Sequence, residues 1–255
     1  MTRASVAGFP VVHAVTDSAA IMREEFLMRA LSLMRTLGPR GALHLRSSKA
    51  SGRRMYDIAT TLAMYQRETR CWLVVNDRVD IAAAVGARGA QLASHSLRIA
   101  EALLVSPELP VGASVHSVKE AIEAEAAGAS WCVAGTVFET PSHAGRLPAR
   151  VEFVAKVAGA VHIPVIAIGG VRPEDVGALK RAGAHGIATI RGAAWDLESE
   201  PVESADLLLK TRLPVGPESD FLEPVSRYIS AYDSDSGIGR DDHPDGERST
   251  EAADT

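Results

Sequence analysis

The stretch VGASVHSVKEAIEAEAAGASWCVA, residues 111–134, contains one full structural period. A short β-branched run at 111–115 passes through His116-Ser117 into 118–127, where alanine, glutamate and scattered large apolar residues recur at helical spacing. Gly128 breaks that helix, and a second apolar run starts at Ser130. A glycine just past a helix end takes the left-handed conformation that turns the chain back towards a sheet, so the stretch reads strand, helix, turn, strand. The same punctuation returns in Val85-Gly86-Ala87 and Ala182-Gly183-Ala184. Repeated β-α units around a parallel sheet follow.

Outward from that period, strands are expected at 11–16, 42–46, 72–76, 89–92, 111–115, 130–134, 165–168 and 186–190. Helices are expected between them, among others at 21–36, 53–67, 118–127 and 173–181, the last opening on Pro173 in its first turn. No G-x-G-x-x-G follows the first strand, which argues against a doubly wound dinucleotide-binding sheet. Eight strands with short loops give the fold class α/β, a (β/α)8 TIM barrel. The barrel is assigned to residues 1–214, followed by a C-terminal extension over 215–255 that is mostly disordered and acidic.

The composition is that of an ordinary globular protein: of 255 residues, 46% are apolar, 23% charged and 5% aromatic, which excludes collagen, a disulfide scaffold and disorder throughout. A net charge of −5 argues against nucleic acid or an anionic membrane as partner. From Asp233 onward eight acids face only Arg240 and Arg248, leaving the body nearly neutral. That tail has a single large apolar residue, Ile238, and cannot offset the entropy of ordering. Cys71 and Cys132 sit in apolar runs as small buried hydrophobes, which fits a reduced, cytoplasmic setting. Pro10 and His13 interrupt the first apolar run, so no signal peptide is expected, and no window is long enough for a membrane span.

Barrel chemistry belongs to the carboxyl ends of the strands. Strand seven ends in Ile168-Gly169-Gly170 and strand eight in Ile190-Arg191-Gly192. Glycines there let backbone N–H groups approach an anion, and Arg191 adds charge, so Gly169, Gly170, Arg191 and Gly192 are expected to bind phosphate. On strand two, alternation puts His44 and Arg46 together towards the lumen, opposite Leu43 and Leu45. His13 on strand one reads equally as lumenal or as a satisfied core histidine. Asn76 and Asp77 end strand three, Ser114 and His116 end strand five, and Thr136, Glu139 and Thr140 follow strand six. Each could serve a cap or turn alone, but together they outline a cleft. No histidine or cysteine pair has metal-ligand spacing, so no structural metal is expected.

The segments HAVTD (13–17), HLR (44–46), VVNDRVDIAAAVGARGAQL (74–92), VGASVHSVKEAIEAEAAGA (111–129), GTVFETPSHAG (135–145) and IPVIAIGGVRPEDV (163–176) together resemble the family of thiamine phosphate synthase and the TenI-type thiazole tautomerase. The synthase resemblance implies joining a pyrimidine diphosphate to a thiazole phosphate with loss of pyrophosphate, dependent on Mg²⁺. The tautomerase resemblance implies a metal-independent proton shift that aromatises a carboxylated thiazole phosphate.

The synthase pattern has an acid on strand three and another after strand four; here Asp77 fills the first position and Ser96 takes the place of the second. It expects glutamine, arginine and lysine on strand two, where this chain has His44, Arg46 and Ser48, with Lys49 displaced by one. Its loop lysine is replaced in Thr140-Pro141-Ser142-His143. These departures favour the TenI branch, although Thr136 stands where that branch can carry a histidine.

The resulting expectation is a TenI-like isomerase without cofactor. His44 moves the proton, with His116 as the second choice; Arg46 faces the substrate carboxylate and Thr136 donates a hydrogen bond. A divergent, Mg²⁺-dependent synthase is the alternative, and a non-catalytic thiazole or thiamine phosphate binder the third reading. Residues 141–147 could form a closing lid. The partner is a small-molecule thiazole phosphate, with homo-oligomerisation left open.

Overall fold

The computed structural model describes residues 8–140, 149–193, 195 and 223–234. Eight parallel strands close into a barrel in chain order: β1 Val12–Val15, β2 Gly41–Leu45, β3 Trp72–Asn76, β4 Gly89–Leu92, β5 Val111–Val115, β6 Trp131–Gly135, β7 Val165–Ile168 and β8 Gly186–Thr189. The seam between first and last strands pairs His13 with Ala188. Around the barrel lie α1 Phe26–Leu37, α2 Gly52–Thr69, α3 Val79–Val85, α4 Ile99–Val105, α5 Val118–Ala126, α6 Arg150–Ala160, α7 Val176–Arg181 and α8 Glu223–Ser234.

The expected punctuation is in place, because Gly86, Gly128 and Gly183 all have positive φ, at 69°, 97° and 90°. Ser51 and Ser117 start α2 and α5 by accepting the backbone N–H of Arg54 and Glu120, which satisfies a donor each helix start leaves unpaired. Two helices differ from the sequence reading. The first expected helix divides into a 3-10 turn, Ala20–Met22, and α1; the seventh into a turn started by Pro173, Pro173–Asp175, and α7.

Strand alternation sorts the core into two layers. Leu43, Leu45, Leu73, Val75, Ala90 and Leu92 face outwards into the main cluster beneath the helices. Val15, Ala42, Val74, Trp131, Val133, Ile166 and Ala188 face inwards and fill the lumen. At roughly 1.5–3 kcal/mol for each large buried apolar side chain, the outer layer carries most of the stability. The Phe9 ring closes the amino-terminal floor, with centroids 5.2 Å from Trp72, 5.5 Å from Trp131, 5.8 Å from His13 and 5.4 Å from His185.

The boundary at 214 needs correction, because α8 lies beyond it yet packs on α1 and α7 and completes the helical ring. Val225, Tyr228, Ile229 and Tyr232 recur at three- and four-residue spacing and put one apolar stripe on the barrel. Tyr232 Oη donates to the carbonyl of His185 at 2.6 Å, and Asp233, the first acid of the tail, pairs with Arg40. The acidic stretch beyond Ser234 and the suggested lid at 141–147 lie outside the described residues. Among the described residues, no helix is long and apolar enough to cross a membrane.

Candidate active site

Inside the barrel, above the Phe9 floor, His13 on β1 and His44 on β2 meet, Nδ1 of His13 lying 2.8 Å from Nε2 of His44. The other nitrogen of His13, Nε2, is 3.1 Å from the carbonyl of Pro10. A carbonyl only accepts, so His13 carries its proton on Nε2, its Nδ1 is an acceptor, and His44 donates from Nε2. Both rings are buried, at 1% and 2% exposure, and burial is the main reason neither protonates readily. His13 is held well below the ordinary imidazole value, and His44 down to about 4. A second cationic ring at hydrogen-bond distance would add repulsion to the loss of solvation.

The choice left open for His13 is thereby resolved: it faces the lumen and is fully hydrogen-bonded. His44 Nδ1 is left as an acceptor. Asn76 on β3 lies beside it, with an Oδ1 that is buried and unpartnered among the described residues. The amide meets His44's demand when its NH2 group faces the ring.

Arg46 does not join His44 in the lumen, which corrects the alternation argument. β2 ends at Leu45, and the Thr16 hydroxyl clamps the next residue, accepting from the Arg46 N–H at 2.7 Å and donating to its carbonyl at 2.8 Å. The guanidinium is left exposed at the rim.

Asp77 follows β3 with φ at 62°, in the left-handed region that non-glycine residues rarely adopt. It is not the N-cap of α3, a place held by Arg78. Its Oδ1 instead accepts the Ala93 N–H at 3.2 Å and the Ser96 hydroxyl, so the carboxylate reaches across to the loop after β4. Asp77 and Ser96, which stand at the two acid positions of the synthase pattern, touch. Further round, Gln91 on β4 accepts from Trp131 Nε1 at 2.8 Å and donates to Ser114 Oγ on β5 at 3.1 Å, which fixes Ser114 at the mouth.

His116 is exposed, its Nδ1 donating to the Gly135 carbonyl at 2.6 Å while its backbone N–H goes to Glu120. Thr136 and Thr140 are half-buried in the loop after β6, and Glu139 is exposed there. That loop lies on the one after β7, because Val137 and Phe138 donate to the carbonyls of Ile168 and Gly169, each at 2.9 Å. Gly169 and Gly170 have φ of 102° and 65°, and a Cβ on Gly170 would come within 2.5 Å of the Glu139 carbonyl oxygen. After β8, Arg191 is exposed and starts the short turn Arg191–Ala193, while the Gly192 N–H donates to Thr189 Oγ1 at 3.0 Å. Gly192 therefore contributes close packing rather than a free donor.

The predicted residues thus gather at one end of the barrel, with Arg46, His116 and Glu139 on its outer rim. Sequence reasoning did not find Tyr228. It was assigned to the tail, although its spacing from Val225 and Tyr232 is the helical signal that places it on the barrel.

Comparison with known proteins bears on the chemistry. A family model described as thiamine monophosphate synthase matches residues 12–193. The thiamine-phosphate synthase of Pyrococcus furiosus is 36% identical over 179 residues, 70% of this chain and 84% of that protein. The one from Chlorobium luteolum is 40% identical over 174 residues, 68% of this chain and 81% of that protein. Among solved structures, a thiamine phosphate pyrophosphorylase from Pyrococcus furiosus superposes with a TM-score of 0.70 at 29% identity, covering 89% of this chain and 97% of that one.

These relatives overturn the tautomerase expectation and the isomerase class with it. Curated proteins 34–40% identical to this chain are thiamine-phosphate synthases. The substitutions at His44, Ser96 and His143 were weighed as marks of a different branch, yet they sit in a chain whose similarity runs to the synthases. The chain belongs to the thiamine monophosphate synthase family.

Proposed function

We propose that this protein is a thiamine-phosphate synthase, a transferase that joins hydroxymethylpyrimidine diphosphate to thiazole phosphate. The new bond between the two heterocycles forms as the C–O bond to pyrophosphate breaks. The observation that carries the reading is the similarity to named synthases along nearly the whole barrel. The site is compatible with it. Two buried imidazoles that stay neutral provide hydrogen bonds of fixed direction and no titrating acid, which suits a displacement better than a proton shift.

The family implies Mg²⁺, and the donors present fit it. Asp77 engages the loop after β4 through Oδ1, which leaves Oδ2 available to a hard cation. One carboxylate with substrate phosphates is a sufficient set for Mg²⁺. The ion would neutralise charge on the departing pyrophosphate. Asp77 would hold it and Ser96 would orient Asp77. The left-handed Gly169-Gly170 turn and Arg191 are assigned to the phosphate of the thiazole, in the position where barrels commonly hold one. Ser114, Asn76 and His44 present the polar wall against which a heterocycle lies. Cys71 and Cys132, both buried and unpaired, fit a cytoplasmic setting.

The test is pyrophosphate release from the two substrates by purified protein, with and without Mg²⁺, together with detection of thiamine phosphate. Release that needs both substrates and the metal supports the reading; a rate no higher than the protein-free control ends it.

A further inference from the structure

Tyr228 lies on α8, distant in sequence from every strand end, yet its hydroxyl is buried between the two loops assigned to phosphate. It is 4% exposed. Its Oη donates to the Val171 carbonyl at 2.8 Å, one residue past the Gly169-Gly170 turn. The Thr189 side chain at the end of β8 lies beside the same phenol. Thr189 Oγ1 in turn accepts the Gly192 N–H at 3.0 Å. The phenol thus bonds to the β7 loop at Val171 and packs on the β8 loop where Thr189 holds the Gly192 N–H. A Cβ on Gly192 would lie 2.6 Å from the phenol oxygen and 2.7 Å from Thr189 Oγ1, so the glycine lets the ring approach.

We propose that Tyr228 is a positioning residue for the phosphate of the substrate, joining the β7 loop, by its hydroxyl, to the β8 loop, by its packing on Gly192, so that both face one anion at a fixed spacing. This rests on the assignment of phosphate to those loops. Through this side chain the C-terminal helix takes part in the binding site as well as in the barrel. Removing the hydroxyl leaves the ring packed and cuts its bond to the Val171 carbonyl.

The experiment compares wild type, Tyr228→Phe and Thr189→Val in the full chain. Titration with inorganic phosphate gives affinity independent of turnover, steady-state kinetics give KM for thiazole phosphate against kcat, and thermal unfolding gives stability. The expected result for Tyr228→Phe is phosphate affinity and KM weakened about five- to ten-fold, the scale of one lost hydrogen bond, with kcat within about two-fold. Thr189→Val is expected to do the same. Unchanged phosphate affinity and KM, even with a lowered melting temperature, would reduce Tyr228 to a packing role and overturn the proposal. If wild type shows no pyrophosphate release but Tyr228→Phe still weakens phosphate binding, the positioning role stands and the synthase reading falls. A wild type that neither turns over nor binds phosphate overturns both.

Discussion

His13 and His44 share a single proton between facing nitrogens 2.8 Å apart, at the centre of a barrel whose other lumenal groups are mostly apolar. The direction of that bond is set from below, by the Pro10 carbonyl, and passed upward to the face His44 turns to the site. A pair so arranged is a ruler for donors and acceptors, and its cost shows in the pH dependence of folding.

His44 titrates at about 4 in the folded protein against an ordinary 6.5, so between those values the unfolded chain binds more protons. Stability is then full above pH 6.5 and falls as the pH drops towards 4. His13, also lowered, adds to the slope in the same sense. His44→Gln, whose NH2 can still donate to His13, is expected to fold and to show a shallower loss of melting temperature over that range. An unchanged slope would mean that His44 does not titrate with unfolding.

Ser96 supplies a hydroxyl where a second carboxylate would strengthen a cation site. Ser96→Asp is expected to lower the magnesium concentration for half-maximal pyrophosphate release by roughly ten-fold, since affinity follows ligand charge. Asp77→Asn is expected to lower the rate at least about a hundred-fold, by removing the only charged ligand in the set. A magnesium titration of both variants decides the matter; equal half-saturation in Ser96→Asp and wild type would remove this corner from metal binding.

Gly170 combines a left-handed φ of 65° with a missing Cβ that would meet the Glu139 carbonyl oxygen at 2.5 Å. Gly170→Ala is expected to destabilise the fold by about 1–3 kcal/mol, from backbone strain together with displacement of the β6 loop. It should also raise KM for the phosphate substrate. Urea unfolding and steady-state kinetics on one preparation check both effects.

Gln91 accepts from a Trp131 ring that is wholly buried. Gln91→Leu leaves the indole N–H without that acceptor and Ser114 without its donor, at a cost of about 1–3 kcal/mol. For a chain of this size that lowers the melting temperature by roughly 2–12 °C. A change of less than 1 °C would show that another acceptor takes the indole.

Much of the barrel can be read from local chemistry. Gly86, Gly128 and Gly183 mark the returns to the sheet, and runs such as 72–76 and 165–168 have the strand bounds seen. The left-handed turn after β7 was foreshadowed by Gly169-Gly170 for the same reason: a positive φ leaves a trace in residue type. Side-chain direction past a strand end does not. Arg46 continues the alternation of β2 on paper, but the clamp from Thr16 comes from another strand, and no residue near Arg46 announces it. Tyr228 was hidden differently. Its stripe is periodic, but it follows a long polar stretch and runs into an acidic tail, so composition outweighed spacing. The choice between two chemistries turned on single substitutions, whose meaning depends on neighbours in space, and here the likeness over residues 12–193 outweighed them.

The Phe9 stopper gives the barrel one mouth. Whatever enters leaves by the same door, so the rim around that door is the surface every visitor crosses twice.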